Sequence, residues 1–280
     1  MDDLEKIISS DVTSVWSGFV DSLKKKTSKA ILPAILFFVL AVMLTILTRI
    51  PHFIFFYVII LFTLIIILWN TAVKDFLKHF ASHMDYKYNP SGDMSSVEGH
   101  IFQYGSNPEI EKIVSGEFFG KDTRLFIFET TVGSGKHKHE EFYSVLEITF
   151  DALLPEIILN NKKSVFGFGF TLASLDNERK LVLEGDFYKY FNLYVAKEYE
   201  LEAMQIFTPE VMQIFIDKAG KISAEMYKNK VYLYFPGIIT KKEQMVTIYG
   251  LAKEIILQLS HVFFRIKDDV EDMSKYAKLT

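Results

Sequence analysis

The stretch FIFFYVIILFTLIIILW, from Phe53 to Trp69, carries no charged residue, and neither does AILPAILFFVLAVMLTIL, from Ala30 to Leu47, just upstream. At about 1.5 Å of rise per residue each makes a helix of roughly 25–27 Å, close to the ~30 Å hydrocarbon core of a bilayer once flanking residues are added. Leu, Ile, Phe and Val dominate both runs, and each such residue favours insertion by about 0.3–0.6 kcal/mol. Two buried core helices would be the competing reading, but core helices are rarely apolar all round over such lengths. The two runs predict a transmembrane helical hairpin over residues 30–69.

The cations orient it. Lys24, Lys25, Lys26 and Lys29 precede the first run, Lys74 and Lys78 follow the second, and the TRIPH turn (Thr48 to His52) holds only Arg49. An excess of Lys and Arg marks the cytoplasmic side, so both termini are expected in the cytoplasm of a multi-pass cell-membrane protein. The acids Asp2, Asp3, Glu5, Asp11 and Asp21 before the first run, with no small-residue cleavage site after it, argue against a cleaved signal peptide. At depth the polar groups are Thr45, Thr63 and the Tyr57 hydroxyl, and Pro33 sits near the start of the first run. Transport paths usually show ionisable residues or broken helices, so the hairpin reads as an anchor.

The 280 residues include no cysteine, which excludes disulfides and cysteine-bearing metal or thiol sites. A formal charge of −4 supplies no basic field, so nucleic acid is not an expected partner. No cofactor is expected either.

Elsewhere the pattern divides the chain further. Leu4, Ile7, Ile8, Val12, Val15, Trp16, Phe19, Val20 and Leu23 recur at three- and four-residue spacing, predicting one amphipathic N-terminal helix over residues 1–29. It either dips Trp16 and Phe19 into the cytoplasmic leaflet or packs on the soluble domain, and the sequence leaves both open. Val73, Phe76, Leu77 and Phe80 extend the second span into a stalk ending near His83, and YNPSGDMSS (Tyr88 to Ser96) reads as a loop, giving a stalk and linker over 70–95. A cytoplasmic mixed α+β domain follows over 96–240. RLFIFETTV and FYSVLEITF flank the tip GSGKHKHEE as a hairpin, EIILNN and VFGFGFTL are short strands, and KISAEMYKNKVYLYF turns at Lys228-Asn229. TPEVMQIFIDKAG carries Thr208 as a helix N-cap, Pro209 at the first helical position and Gly220 past the end. Met245, Ile248, Tyr249, Ala252, Ile255, Ile256, Leu259, Val262, Phe263 and Ile266 mark a long amphipathic C-terminal helix over 241–280.

The candidate sites are few. VGSGK (Val132 to Lys136) lacks the upstream glycine and the following Ser or Thr of a phosphate loop. His137 and His139 share one side of an extended strand, with Glu140 and Glu141 near, and are the metal candidates, against the reading of solvated loop histidines. Phe166, Phe168 and Phe170 form an aromatic stripe without interleaved cations, more like core than a stacking platform, while Gly167 and Gly169 leave a bare face. Glu184, Asp186 and Glu210 read as caps or solvated acids. No catalytic motif is present, so no catalytic residue is assigned.

LEGDFYKYFNLYVAKEYELEAMQIFTPEVM (Leu183 to Met212) is dense in aromatics, and Asp186 is expected to cap a turn that puts Phe187 and Phe191 on one helical face. Together with the hairpin, this segment resembles an uncharacterised family of bacterial membrane proteins with two N-terminal transmembrane helices and a conserved cytoplasmic domain of unknown function. Phe187, Phe191, Tyr194, Thr208, Pro209 and Met212 carry the likeness, which covers the spans and the second half of the domain. The resemblance implies a bacterial cytoplasmic-membrane protein and supplies no activity.

The expectation is thus a membrane-anchored α+β protein acting as a non-enzymatic scaffold or protein-binding module, with the lipid bilayer and either a protein partner or a second copy as partners. A lipid- or small-ligand-binding module with the Phe/Gly strand as a pocket wall is the alternative, and a membrane-tethered hydrolase the third.

Overall fold

The computed structural model describes residues 2–11, 14–20, 38–39, 42–43, 45–46, 52–163, 180–183, 185–195 and 199–277. Most of the first apolar run and the VFGFGFTL stretch lie outside the described residues. The helices are α1 (Asp3–Ser9), α2 (His52–His83), α3 (Phe187–Tyr190), α4 (Glu200–Ile206), α5 (Pro209–Lys218) and α6 (Lys242–Ala277). The strands are β1 (Lys87–Ser91), β2 (Ser106–Phe118), β3 (Lys121–Val132), β4 (His139–Thr149), β5 (Ile157–Asn161), β6 (Lys180–Leu181), β7 (Phe191–Val195), β8 (Ser223–Tyr227) and β9 (Lys230–Pro236). The chain forms two units, one of Met1–Ser9, Ala81–Ile239 and Glu243–Thr280, the other of Ser10–Phe80 and Thr240–Lys242.

The first unit is α+β, built on a nine-stranded sheet in the order β1-β2-β3-β4-β9-β8-β5-β7-β6, with every ladder between these strands antiparallel. Phe119 and Gly120 both take positive φ, +49° and +73°, giving β2 and β3 the two-residue turn whose twist matches the strands. Lys228 at φ +54° does similar work between β8 and β9, at the predicted turn. The register of β2 shifts next to Asn107 and Lys112, both at positive φ, and the ladder is interrupted at each.

The loop expected over Tyr88–Ser96 is corrected. Residues 87–91 form the edge strand β1, and a 3-10 turn, Met94–Ser96, follows with Asp93 accepting the Ser95 N–H. Pro90 is tolerated because β1 pairs on one side only and the ladder skips that residue.

One face of the sheet packs on helices. The Phe118 ring lies 5.0 Å from that of Tyr249 on α6, and Met226 lines a small cavity together with Phe215, Ile255 and Leu259. Along α6, Met245, Ile248, Tyr249, Ala252, Ile255, Ile256 and Leu259 are buried, as their spacing predicts. α5 starts as read, with Pro209 at its first turn and the Thr208 hydroxyl accepting the Val211 N–H at 3.5 Å. The opposite face is covered by the segment Val97–Tyr104, whose Phe102 packs 5.2 Å from both the Phe128 and Tyr232 rings.

The single N-terminal helix is also corrected. α1 ends at Ser9, and helix resumes at residues 15–20, where the Ser14 hydroxyl accepts the Ser17 N–H at 3.1 Å. Ser14 forms an antiparallel bridge with Lys241, and an extended residue there interrupts a continuous helix. α1 packs within the sheet unit: Ile7 is fully buried, Asp3 accepts the Phe119 N–H at 3.0 Å, and Lys253 reaches Asp2.

The aromatic segment differs as well. Asp186 makes no side-chain cap, α3 lasts one turn, and Phe191 opens strand β7 rather than extending a helix. Alternation of Phe191, Leu193 and Val195 toward the interior outweighs the helical spacing. Phe187 and Phe191 still meet, stacked at 5.0 Å, and join Phe207 and Phe215 at 5.9–6.0 Å in a buried four-ring cluster.

Helix α2, whose residues up to Phe80 belong to the second unit, runs unbroken through the stalk to His83, with Val73, Phe76, Leu77 and Phe80 buried. From Phe55 to Ile67 its apolar side chains face outward on every side. The helix is long and apolar enough to cross a membrane.

Because Phe191 bridges Phe187 and Phe215, Phe191→Ala is expected to cost about 3–5 kcal/mol. Denaturant unfolding of the detergent-solubilised protein measures this; parental stability would place the ring outside the core.

Candidate functional site

The residues singled out from sequence do not converge. His137 ends a 3-10 turn and His139 opens β4, both exposed at the hairpin tip. The His139 ring faces Glu141, Nε2 to Oε1 3.1 Å, and Glu141 also accepts the Tyr143 hydroxyl at 2.6 Å. Among the described residues no group of three or more His, Cys, Asp or Glu is placed to hold a metal ion. Phe187, Phe191 and Tyr194 are buried, Thr208 and Pro209 start α5, and Met212 is half-buried. Their contacts are architectural.

The concentrated chemistry lies elsewhere, in one rung across four adjacent strands. Arg124 on β3 opposes Glu147 on β4, Glu147 opposes Tyr232 on β9, and Tyr232 opposes Glu225 on β8. Partners in a rung share a face of the sheet, and this row lies on the face covered by Val97–Tyr104. Glu147 and Glu225 are 2% and 1% exposed, so each carboxylate requires compensation.

Glu147 receives it from two cations. Arg124 grips it with two hydrogen bonds, Nε to Oε1 at 2.8 Å and Nη2 to Oε2 at 2.7 Å, and Lys230 Nζ donates to Oε2 at 3.2 Å. Arg124 and Lys230 also donate to the Ser96 carbonyl, at 2.9 and 3.3 Å, tying the covering segment to the sheet. Burial works against the Arg124 charge, but the hydrogen bond to Glu147 and its charge outweigh it and raise the guanidinium pKa.

Glu225 is satisfied differently. Its Oε1 accepts the His100 backbone N–H at 2.6 Å and faces His100 Nδ1 at 2.8 Å, while Oε2 accepts the Tyr234 hydroxyl at 2.5 Å. Burial, then the Glu225 charge, pushes the Tyr234 phenol well above its ordinary pKa and keeps it a donor. The other ring nitrogen, Nε2, lies 3.0 Å from Glu156 Oε1. With both carboxylates ionised, both contacts are hydrogen bonds only if the imidazole carries two protons. The Tyr227 ring meets His100 edge-on at 5.7 Å, and Tyr232 stacks on Tyr234 at 6.1 Å while its hydroxyl accepts the Glu98 N–H at 3.2 Å.

This arrangement fastens residues 96–100 to the sheet. Both imidazole nitrogens face carboxylates, not a nucleophile, and the Glu147 oxygens are engaged by cations. Two cavities bordered by described residues are small: about 10 Å³ between α5, β8 and α6, and about 80 Å³ beside β6 and β7, lined by Lys162, Lys180, Leu181 and Phe187 among others. Ligand pockets run to roughly 300–1,000 Å³.

Sequence reasoning did not single out Arg124, Glu147, Glu225, His100 or Glu156. A usable signal was present: Glu147 in FYSVLEITF and Glu225 in KISAEMY are acids at inward positions of alternating strands. Gly99 closes the row, at φ +156°, where an added Cβ would lie 3.2 Å from both Glu225 oxygens. Gly99→Ala is therefore expected to destabilise the protein by about 1–3 kcal/mol, read from thermal unfolding; an unchanged melting temperature would show that residues 96–100 are not fixed by this contact.

No protein-family model matches the sequence, and no curated protein matches it. Among solved structures, the chain is similar to the mycobacterial trehalose monomycolate transport factor A, TtfA, at 12% identity, covering 68% of this chain and 93% of that one with a TM-score of 0.45.

Proposed function

We propose that the protein is a two-pass membrane protein that presents its α+β unit to the cytoplasm as a non-enzymatic interaction module. The observation that carries this reading is the outward-facing apolar surface of α2, where Phe55, Phe56, Phe62 and Ile67 are 54–64% exposed. Burying a side chain of this size contributes about 1.5–3 kcal/mol. Over this stretch, leaving them in water forgoes on the order of 10 kcal/mol, comparable to the whole stability of a domain.

The polar group at depth is compatible with lipid: the Thr63 hydroxyl donates to the Ile59 carbonyl at 2.9 Å and so needs no water partner. The described residues of the first apolar run, 38–39, 42–43 and 45–46, are helical, and the Phe38 ring lies 5.2 Å from that of Tyr57. Together with the lysines before the first run and after the second, this favours a hairpin with both termini cytoplasmic. Kinship with the bacterial two-span family belongs to the same reading.

Support for an interaction role comes from α4, where Leu201 and Met204 sit three residues apart and are 75% and 52% exposed. An apolar pair held outward on a short helix fits a protein partner or a second copy of the chain.

Protease added outside intact cells is expected to leave the C-terminal unit whole and to digest it once detergent opens the membrane. Digestion without detergent would overturn the topology.

A further inference from the structure

The two tryptophans of the chain, Trp16 and Trp69, are over fifty residues apart in sequence, yet their rings lie 6.5 Å apart. Phe19 completes the group, 5.5 Å from Trp16 and 5.9 Å from Trp69. All three belong to the second unit. We propose that residues 14–20 form an interfacial anchor whose Trp16 lies in the headgroup layer of the cytoplasmic leaflet, beside the point where α2 leaves the hydrocarbon. This deepens the membrane-spanning reading of α2 and rests on it.

Trp69 marks that point. It ends the uncharged run of α2, and the next turns carry the exposed charges Lys74, Asp75 and Lys78. Tryptophan favours this depth because its ring is apolar while its N–H still needs a polar partner. The layer between hydrocarbon and water is about 5–8 Å thick on each side, so a ring 6.5 Å from Trp69 lies at or next to the same layer.

The course of the chain supports this placement. The Asp11 carboxylate lies 3.7 Å from His79 on α2, whereas Trp16 lies against Trp69. Between those two points α2 advances by roughly 15 Å, so Trp16 lies farther along α2 toward the apolar run than Asp11 does. It is also fixed there. The Val15 N–H donates to the Thr240 carbonyl at 2.8 Å, Ser14 bridges Lys241, and Lys242 Nζ donates to the Ser10 carbonyl at 2.6 Å. Within this clamp Val15 and Phe19 turn inward, at 0% and 7% exposure, and Trp16 is left 62% exposed at the level of Trp69. A large aromatic ring held outward beside an apolar helix fits a lipid surface.

Two tryptophans make the test direct. The full chain is reconstituted in phosphatidylcholine vesicles brominated either near the headgroup or near the bilayer centre. Trp16→Phe leaves Trp69 as the sole fluorophore, and Trp69→Phe leaves Trp16. Each is expected to lose more emission to shallow bromines than to deep ones, and the unsubstituted protein, needing no variant, is expected to lose emission in the same order. Trp69 quenched with Trp16 untouched, or Trp16 quenched more by deep bromines, overturns the anchor and leaves the spanning helix intact. Trp69 unquenched by either overturns the spanning reading itself.

Discussion

Helix α2 satisfies its backbone internally and leaves its side chains unsatisfied by water. From Phe55 to Ile67 Leu, Ile, Val and Phe point outward all round, with the Thr63 hydroxyl folded back onto the Ile59 carbonyl. The same helix changes character past Trp69, where Val73, Phe76, Leu77 and Phe80 are buried and Lys74, Asp75, Lys78 and His79 face water. One continuous element therefore carries two solvents' worth of pattern, and the proposed membrane reading follows from the first half alone.

Within the sheet unit the expensive feature is charge. Glu147 and Glu225 occupy inward positions of central strands, where apolar residues would be the ordinary choice. Breaking such a buried pair costs several kcal/mol, while its net contribution over a hydrophobic equivalent is small. What the row contributes here is position: Ser96, Glu98 and His100 are each held to the sheet by a charged or phenolic group. Phe102 is thereby set among Phe126, Phe128, Tyr232 and Tyr234, which is how a segment without strands of its own closes one face of the fold.

Legibility from sequence followed the range of the interactions. The β3–β4 and β8–β9 turns, the Thr208–Pro209 start of α5, the extent of α2 to His83 and the buried face of α6 depend on neighbours a few residues apart, and were readable, whereas the β2–β3 turn at Phe119-Gly120 was not. β1 was not, because Tyr88-Asn89-Pro90-Ser91 has loop chemistry and becomes a strand only by lying on the edge beside β2. The break after Ser9 was hidden because the helical period continues through it, while the bridge from Ser14 reaches Lys241. Phe187 and Phe191 stack as their shared spacing suggests, yet the helix ends between them. The charged row was the least legible: Arg124, Glu147, Tyr232 and Glu225 become neighbours only through the register of four strands.

The central claim is that α2 lies in lipid, not against protein. Washing isolated membranes with alkaline carbonate, which strips proteins held by surface contacts and leaves spanning helices in place, tests it most directly. The chain is expected to stay wholly with the membrane pellet; its release into the supernatant would show that α2 does not span the bilayer.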